Sequence, residues 1–387
     1  MDFTLSDEQR LYRETLRDFV DREIVPVARD WEHEGRYPTE IVESMKALGL
    51  FGLAVPEVYG ELEVDTVSFA LTFEEIARGW LGVAGILGSH SVSCWMLARH
   101  GTQEQKDRYL PDLASGQKRT GIALTEPGAG TDLQGIATTA RRDGDDYVVQ
   151  GTKMWITNAR HADVLPVLVK TDPSATPAHR GMSILLVDAG TPGLEVTKDM
   201  GKLGYKGTES CEVVLDGVRV PSSQLLGGVE GRGLQHALSS LETGRINIAA
   251  RSVGIAQRAY DEALSYARDR TAFGQAIGDF QAVQLRLAEI AVQLQAARLM
   301  TYWAASRMDD GVRMDTESGM AKIFASETAL QCATDAMRIH GGYGYSTEFE
   351  VERLYRDAPL MSIGEGTNDV LRTVVARSLL AGKATLG

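Results

Sequence analysis

Residues 147–157 read Tyr-Val-Val-Gln-Gly-Thr-Lys-Met-Trp-Ile-Thr, a stretch rich in β-branched and aromatic residues that favours a β-strand. Shorter runs of the same kind recur at 183–187 (Ser-Ile-Leu-Leu-Val) and 211–215 (Cys-Glu-Val-Val-Leu). The dipeptides Asp143-Gly144 and Asp216-Gly217 are typical of hairpin turns between such runs. Their irregular spacing predicts an all-β unit, a barrel or a sandwich rather than a parallel sheet, between about residues 120 and 226.

Helical patterns flank this β-rich unit on both sides. At the start of the chain, Ser6 is a predicted N-cap. After the glycine-rich joint at 227–233, apolar residues recur at steps of four and three, as on the buried face of a bundled helix; they are Val283, Leu287, Ile290, Leu294 and Ala297. We therefore predict an α-helical domain over 1–118, a β domain over 119–228 and a second helical domain over 229–387.

Composition limits the class of protein. The chain has 387 residues, which is more than one hydrophobic core supports, and its 43% hydrophobic and 24% charged residues are those of a globular protein. The net charge of −13 argues against a nucleic-acid-binding protein. The N-terminal stretch lacks the pattern of a targeting signal, and no apolar run is long enough for a membrane span, so we expect a cytoplasmic protein. The three separate cysteines indicate reduced core thiols.

Five short segments combine glycines with polar or aromatic residues in ways typical of a ligand site. They are TEPGAGTD (125–132), GTKMWITN (151–158), RTAFG (270–274), RIHGGYGY (338–345) and IGEGTND (363–369). Taken singly, each has an ordinary explanation, such as a surface turn, an interior Trp, an Arg at a helix end or an exposed Glu at a helix start. Glu365 is the candidate general base, because burial against apolar groups raises a carboxyl pKa into a useful range.

Together the five segments resemble the acyl-CoA dehydrogenase family, flavoenzymes that desaturate acyl-CoA thioesters between the α and β carbons. The similarity runs from about Leu5 to Leu380, and it is greatest to short-chain, bacterial-type members. It implies an α+β multi-domain fold with an N-terminal α-helical domain, a middle β-barrel and a C-terminal four-helix bundle. It also implies that the cofactor is FAD.

The resemblance assigns roles to individual residues. Glu365 would take the α-proton while hydride leaves the β carbon toward flavin N5, and the Glu365 backbone N–H and a flavin ribityl hydroxyl would hold the thioester carbonyl. The implied FAD contacts are Thr125, Gly130, Thr131, Trp155, Thr157, Arg270, Phe273, Gln281, Arg338, Gly341, Gly342, Thr367 and Asp369. The implied substrate contacts are Thr131, Glu242, Arg245, Gly364, Gly366 and Arg377.

A few positions depart from the family pattern or have a second interpretation. Thr131 stands where Ser is usual, and it retains the hydroxyl. Arg338 stands where many relatives carry Gln beside the adenosine diphosphate part of FAD, and a cation there still suits pyrophosphate. Some relatives that act on isovaleryl or long-chain thioesters supply the base from the position of Gly244, and glycine cannot serve. Arg245 is expected at the mouth of the active site, although it could instead form a helix-surface ion pair with Glu242.

The family resemblance also implies partners. Electrons would pass to an electron-transferring flavoprotein, and the chain would form a homotetramer, a dimer of dimers, in which FAD straddles a subunit interface. Fatty acid metabolism is the expected setting. The alternatives are an acyl-CoA oxidase or a related flavin monooxygenase that uses O2, and a flavin-free scaffold. The absence of zinc motifs and of GxGxxG after a strand disfavours metal and nicotinamide enzymes.

Gly364 generates a prediction about substrate shape. Many family members carry an aromatic residue, usually Tyr, before the base, where its ring lines the acyl cavity. Glycine there should widen the cavity, so we expect turnover of branched or bulky acyl thioesters, and a loss of that turnover in Gly364→Tyr. Steady-state rates with a straight and branched thioester panel test this. Improved turnover of every branched substrate by Gly364→Tyr would refute the hypothesis.

Overall fold

The structure is a computed structural model that describes residues 4–60, 62, 64–309 and 314–382. The first three residues of the acidic N-terminal stretch, on which the expected absence of a targeting signal partly rests, lie outside the described residues. Six helices form the N-terminal domain: α1 (Asp7–Phe19), α2 (Val25–Glu34), α3 (Thr39–Ala47), α4 (Thr66–Gly79), α5 (Leu81–His100) and α6 (Gln103–Ala114). A π-helical turn, Val20–Ile24, joins α1 to α2. Ser6 caps α1 as predicted, because its side chain accepts a hydrogen bond from the Gln9 amide.

The middle domain is a six-stranded sheet. Its strands are β1 (Thr139–Asp143), β2 (Asp146–Thr157), β3 (Val164–Lys170), β4 (Met182–Asp188), β5 (Leu194–Asp199) and β6 (Ser210–Pro221). They pair in the order β4-β3-β1-β2-β6-β5, antiparallel except for β1 with β3. Leu185 of β4 and Leu215 of β6 share one buried cluster although three strands separate them in the sheet. The sheet therefore curls around its core, as in a barrel.

One predicted turn was wrong. Asp143-Gly144 does begin the β1–β2 hairpin, but Asp216-Gly217 lies inside β6. The register of β6 against β2 shifts there, since Gln150 pairs with Asp216 and Val149 pairs with Val218. Gly217 has φ +65, so it forms a β-bulge rather than a hairpin. An Asp-Gly pair supplies the positive φ that either feature needs, and local sequence does not distinguish them.

The C-terminal domain is helical. Its helices are, in chain order, α7 (Gly233–Asp269), α8 (Gln281–Met308), α9 (Asp315–His340), α10 (Glu350–Met361) and α11 (Asn368–Leu380). A short hairpin of β7 (Thr271–Ala272) and β8 (Gln275–Ala276) follows α7, and the later helices pack around α7. Helices α7 to α10 form the bundle, and the predicted stripe on α8 faces its interior. The order of helices, sheet and helices confirms the predicted fold class.

The two helical domains share one core. A single buried cluster includes Phe73 of α4, Val253 of α7, Leu294 of α8 and Leu354 of α10. Helices α4 and α7 approach so closely that a Cβ on Gly254 would lie 2.2 Å from the Glu74 carbonyl oxygen. The outer face of β3 and β4 packs in a second cluster against α5 and α6. Helix α7 thus meets all three parts of the chain.

Helix α5 is long and apolar enough to cross a membrane by length and composition alone. In the structure, 83% of its most apolar window is buried inside the protein. It packs against α7, α4 and α6, as a core helix does. The three cysteines, Cys94, Cys211 and Cys332, are free and buried, as predicted.

Candidate active site

Glu365 lies in the short loop between α10 and α11. Its φ is +56 and that of Gly366 is +89, so two consecutive residues adopt the left-handed region, which is uncommon for a glutamate. The residue as a whole is partly exposed, but its Oε2 atom is buried and has no hydrogen-bond partner. A strained backbone therefore holds an unsatisfied carboxylate oxygen inside the protein, not on the surface at a helix start.

The environment raises the pKa of Glu365. Burial is the largest effect and disfavours the charged form, while the positive charges of Arg251, Arg245 and Lys322 act in the opposite direction and leave a net upward shift. A carboxyl with a raised pKa is a stronger base once it is ionised, and the nearby cations keep ionisation accessible. This combination suits a group that accepts a proton from carbon.

Gly244 of α7 faces the Glu365 carboxylate. A Cβ at position 244 would lie 2.5 Å from Oε2 and 2.9 Å from the carboxyl carbon of Glu365. No side chain fits there while Glu365 keeps this position. Positions 244, on α7, and 365, in the α10–α11 loop, thus face the same space, and only one of them can carry a side chain there.

Lys322 of α9 supports the Glu365 loop and was not identified from the sequence. It is fully buried, and its Nζ donates to the Gly366 carbonyl and to Asn368 Oδ1, both at 2.9 Å. Burial lowers the pKa of Lys322 to about 8, although Glu365 favours its charged form. The available signal was a single lysine within the small and apolar stretch 319–325 of a helix, where a charge needs a specific partner.

Tyr205 connects Glu365 to the end of β2. It is 7% exposed, has φ +58, and donates its backbone N–H to Asp357 Oδ1 at 2.6 Å. Burial raises the pKa of its hydroxyl; the charge of Arg251 and a hydrogen bond with Thr157 oppose that rise, and Glu365 adds to it. The predicted flavin contact Thr157 and the predicted base Glu365 therefore lie around one tyrosine, although more than 200 positions separate them in the sequence.

The TEPGAGTD loop lies beside β2. Glu126 and Ala129 exchange backbone hydrogen bonds at 2.9 and 3.1 Å, and the Met154 amide donates to the Thr125 carbonyl at 2.9 Å. Thr125 is half-buried, whereas Gly130 and Thr131 are exposed at the rim of the loop. The loop and the strand thus present their predicted ligand-binding residues side by side.

A buried ion pair holds that loop in place. Lys153 Nζ donates to Glu126 Oε1 at 2.8 Å and to the Leu124 carbonyl at 3.1 Å, and Lys153 has no exposed surface. The amides of Ala137 and Thr138 also donate to the Glu126 carboxylate, at 2.6 and 3.0 Å. Burial alone would raise the pKa of Glu126, but these donors outweigh it and lower the pKa. The buried pair thus has several hydrogen bonds that compensate for its burial and hold the loop beside β2.

Trp155 stands out from β2 at a bulge. Its φ is +64, the pairing register of β2 with β6 shifts between Lys153 and Ile156, and half of its surface (50%) is exposed. Ile156 next to it is buried. The bulge interrupts the strand alternation on which the predicted shared face of Trp155 and Thr157 rests, so that shared face stays a prediction. The exposed indole presents a flat apolar surface to a ring ligand.

A second group of predicted residues surrounds a cleft of about 600 Å³ at the far end of α7. Arg270, Gly341 and Gly342 line it, and the Arg270 guanidinium lies 5.6 Å from the ring centre of Tyr343. A Cβ on either glycine would meet nothing within 4 Å, and Gly341 has φ +60. Open backbone beside a guanidinium is what a pyrophosphate requires.

Three further predicted residues lie close in sequence to residues that line this cleft. Phe273, on the β7–β8 turn, is 96% exposed and has φ +54. Gln281 begins α8 and is exposed. Arg338 is exposed and pairs with Asp335 at 3.3 Å. Apart from that pair, these groups have free surface for a ligand.

The two groups of predicted residues are far apart within one chain. Gly244, beside Glu365, and Arg270 are 26 positions apart on the same helix, about 39 Å at 1.5 Å per residue. That is farther than the two ends of one dinucleotide can reach. Within one chain, the Arg270 cleft is therefore separate from the Glu365 end of α7.

The remaining predicted residues lie around the Glu365 loop. Thr367 caps α11, Asp369 is exposed and pairs with Arg372 at 3.5 Å, and Arg377 is exposed on the last turn of that helix. Gly364 has open space beside it, since a Cβ there would be 3.7 Å from its nearest neighbour, the Leu360 carbonyl oxygen.

Arg245 does not form the helix-surface ion pair with Glu242 that was one of its two interpretations. It is 6% exposed and pairs across helices with Asp315 at 3.0 Å, while Glu242 accepts a hydrogen bond from the Met314 amide. The suggested helix-surface ion pair between Glu242 and Arg245 was therefore wrong as a description of Arg245. The spacing of three allows that pair, but tertiary packing buries the arginine.

The residues present fit a flavin dinucleotide. The cleft at Gly341 and Gly342 has open backbone and a guanidinium for phosphates, while Trp155 and Thr157 combine an exposed ring with a hydroxyl. Among the residues described, no group of three or more His, Cys, Asp or Glu side chains is arranged to hold a metal ion.

Comparison with known proteins covers nearly the whole chain. Family models match residues 6–117 (acyl-CoA dehydrogenase, N-terminal domain), 121–218 (middle domain) and 231–380 (C-terminal domain). The chain is 42% identical to a probable acyl-CoA dehydrogenase, YngJ, of Bacillus subtilis, over 98% of this chain and 100% of the relative. It is 38% identical to the caffeyl-CoA reductase-Etf complex subunit CarC of Acetobacterium woodii, over 97% and 99%. The structure of butyryl-CoA dehydrogenase from Megasphaera elsdenii superposes with a TM-score of 0.95 at 35% identity, covering 98% and 100%.

The buried pair under the TEPGAGTD loop provides a stability prediction. Lys153→Met leaves the Glu126 carboxylate buried without its cation, so the free energy of unfolding should fall by about 3–5 kcal/mol. Denaturant unfolding of the purified protein measures this, and adding Glu126→Gln should restore part of the loss. Lys118→Met is the matched control, because Lys118 forms an exposed pair with Asp112 and its loss should cost less than about 1 kcal/mol. Equal losses in the two variants would contradict the assigned role of Lys153.

Proposed function

This chain belongs to the acyl-CoA dehydrogenase family and is an FAD-dependent oxidoreductase that dehydrogenates acyl-CoA thioesters, and we propose that Glu365 is its catalytic base. The observation that carries this proposal is the buried, unpartnered Oε2 atom of Glu365, which faces Gly244 on α7. The alternatives that use O2, an acyl-CoA oxidase or a flavin monooxygenase, are not favoured.

The proposed reaction removes a proton from the α carbon and a hydride from the adjacent β carbon. Glu365 takes the α-proton onto a carboxylate oxygen, which becomes a neutral carboxylic acid. FAD, when bound, supplies the acceptor for the hydride that leaves the β carbon. The product is the trans-2-enoyl thioester. The role of the protein is to hold the thioester with its α carbon against Glu365 and to exclude water from that carboxylate.

The cations around Glu365 have a role in this step. Arg245, Arg251 and Lys322 lower the cost of ionising the buried carboxyl, so that it is a base before substrate arrives. Lys322 also fixes the loop through the Gly366 carbonyl, which sets the direction of the Glu365 side chain. Gly244 leaves the space in which the carboxylate sits. We assign the proposed FAD contacts to the β2 face, the TEPGAGTD loop and the Arg270 cleft.

The separation of the two ligand-binding groups supports a shared cofactor. We propose that the Arg270 cleft of one copy and the β2 face of a second copy bind opposite ends of one FAD, within a homotetramer that is a dimer of dimers. Phe273, Leu285 and Val292 are 96%, 65% and 63% exposed, which is unusual for large apolar side chains and suits burial against a second copy.

The electron acceptor, the metabolic setting and the cellular location are further proposals. An electron-transferring flavoprotein is the proposed electron acceptor, which the relative from an Etf complex supports. Cytoplasmic fatty acid metabolism is the proposed setting. Recovery of the tagged protein in a membrane or secreted fraction would contradict that location.

Replacement of the base separates binding from turnover. Glu365→Gln keeps the shape of the side chain but cannot accept a proton, so the variant should stay folded and yellow while turnover falls at least about 100-fold. Because the pKa of Glu365 is raised and the ionised form is the active one, wild-type kcat/KM should fall with decreasing pH at a value above that of an ordinary glutamate. Anaerobic bleaching of the flavin by acyl-CoA measures both effects.

The control for Glu365→Gln is Glu195→Gln, since Glu195 is exposed on β5, away from Glu365 and from the proposed subunit contact. It should keep wild-type turnover. Retained turnover in Glu365→Gln would remove Glu365 as the base.

The shared cofactor predicts an assembly-dependent flavin. Sedimentation of the purified holoenzyme should give the mass of four chains. Phe273→Asp introduces charge at the proposed contact and should reduce both association and FAD content. Leu203→Asp is the control, because Leu203 is also exposed (63%) but lies in the middle domain. A monomer that retains stoichiometric FAD would contradict the proposal.

A further inference from the structure

One face of α7 carries buried polar groups that have no partner. Positions 244, 247 and 251 are three and four residues apart and so lie on one face of the helix. Gly244 faces Glu365. Beyond it, both polar side-chain atoms of Asn247 (Nδ2 and Oδ1) and the Nε of Arg251 are buried with no hydrogen-bond partner among the residues that the structure describes. Buried polar groups are normally satisfied, so this strip indicates a ligand.

Two glycines of α5, Gly88 and Gly85, leave space for the side chains of Asn247 and Tyr205. A Cβ on Gly88 would lie 2.7 Å from Asn247 Nδ2, and a Cβ on Gly85 would lie 1.8 Å from the Tyr205 hydroxyl oxygen. The space that a helix side chain would otherwise occupy is thus occupied by the polar groups of Asn247 and Tyr205. The wall next to Glu365 is therefore polar where α5, α7 and the Tyr205 loop meet.

Arg251 is the charged member of this wall. It is 6% exposed, and among the residues that the structure describes it forms no ion pair. The neighbouring cations differ, because Arg245 pairs with Asp315 and Lys322 is bonded to the Gly366 carbonyl and Asn368. A buried guanidinium without an anion is unfavourable, so a protein that keeps one has a use for its charge.

Glu365 accounts for only part of the role of Arg251, although Arg251 has the largest effect of the three cations that lower the Glu365 pKa. The two groups influence each other electrostatically, but Oε2 of Glu365 has no hydrogen-bond partner and no ion pair joins it to Arg251. Arg245 and Lys322 also lie near Glu365 and already favour its ionised form. The guanidinium of Arg251 lies beside the Tyr205 hydroxyl, and its buried Nε has no hydrogen-bond partner among the described residues, so that this donor is available to a second anion.

We propose that Arg251, together with Asn247 and Tyr205, binds a carboxylate at the far end of the acyl group, so that the substrate is a CoA monothioester of a short dicarboxylic acid. This inference rests on the proposed function of Glu365. A guanidinium binds a carboxylate through two parallel hydrogen bonds, and the Asn247 amide and the Tyr205 hydroxyl supply further donors.

The reaction itself is unchanged by this assignment. The α-proton goes to Glu365 and the β-hydride to FAD, while the distal carboxylate is neither formed nor consumed. Positions 244 and 251 are about 10.5 Å apart along the helix axis, at 1.5 Å per residue, and the long Arg251 side chain shortens the span between base and anion. Binding the carboxylate at one end fixes the position of the α carbon at the other.

The test compares thioesters that differ only in charge. Succinyl-CoA, glutaryl-CoA and adipyl-CoA are each paired with the corresponding monoamide, which has the same shape without the negative charge. Dissociation constants are measured by spectral titration of the Glu365→Gln holoenzyme, which binds without turnover, and kcat/KM is measured with the wild-type holoenzyme. At least one carboxylate should bind at least tenfold more tightly than its amide.

Variants identify the residue responsible. Arg251→Gln should remove at least tenfold of that preference, and Tyr205→Phe should remove a smaller part. The control is Arg258→Gln, on the same helix, where the arginine already pairs with Glu262 at 2.8 Å; this variant should keep the full preference. If Arg251→Gln does not fold, the wild-type comparison of carboxylate with amide still decides.

The outcomes separate this inference from the proposed function. If butyryl-CoA bleaches the flavin but no carboxylate binds better than its amide, the inference fails and the function stands. The inference also fails if Arg251→Gln weakens carboxylate and amide equally. If no thioester bleaches the flavin, the proposed function fails as well.

Discussion

The contact between Gly244 and the Glu365 carboxylate is the constraint on which the site depends. The carboxylate fits only because α7 has no side chain at that point, and it is oriented only because the Glu365 loop adopts left-handed backbone. Both conditions require that α7 and the α10–α11 loop are held at a fixed separation. The shared core of the two helical domains provides this, since α4 packs on α7 at Gly254 and α9 carries Lys322 to the loop. A buried base is therefore a property of the whole helical assembly.

The charges around Glu365 balance two opposing requirements. Burial raises the pKa and strengthens the base, but a carboxyl that never ionises cannot accept a proton. Arg245, Arg251 and Lys322 offset part of the burial without forming an ion pair that would neutralise the carboxylate. Each cation is also placed for a second purpose: Arg245 joins α7 to the start of α9, and Lys322 holds the loop. Within the described part of the chain, Arg251 has no ion-pair partner of this kind, and this difference is the basis for proposing that it contacts a ligand.

Helix α7 separates the two groups of predicted cofactor-binding residues within one chain. It runs between the Glu365 end and the Arg270 cleft, and the β2 face lies near the Glu365 end through Tyr205 and Thr157. The proposed arrangement, in which a second copy supplies the Arg270 cleft, accounts for this separation. The buried Lys153–Glu126 pair holds the TEPGAGTD loop beside β2.

The sequence by itself determined the order of helices, sheet and helices, because hydrophobic periods of 3.6 and 2 are local properties of the chain. It also predicted the proposed base, since Glu365 lies between two glycines in a segment that resembles the family. Tertiary structure alone decided which residues surround that base. Lys322, Tyr205 and Arg251 come from α9, the loop before β6 and α7, and nothing in their local sequence states that they meet. Likewise, only packing decided that Arg245 is buried against Asp315 and that Asp216-Gly217 forms a bulge, because burial and register depend on residues distant in sequence.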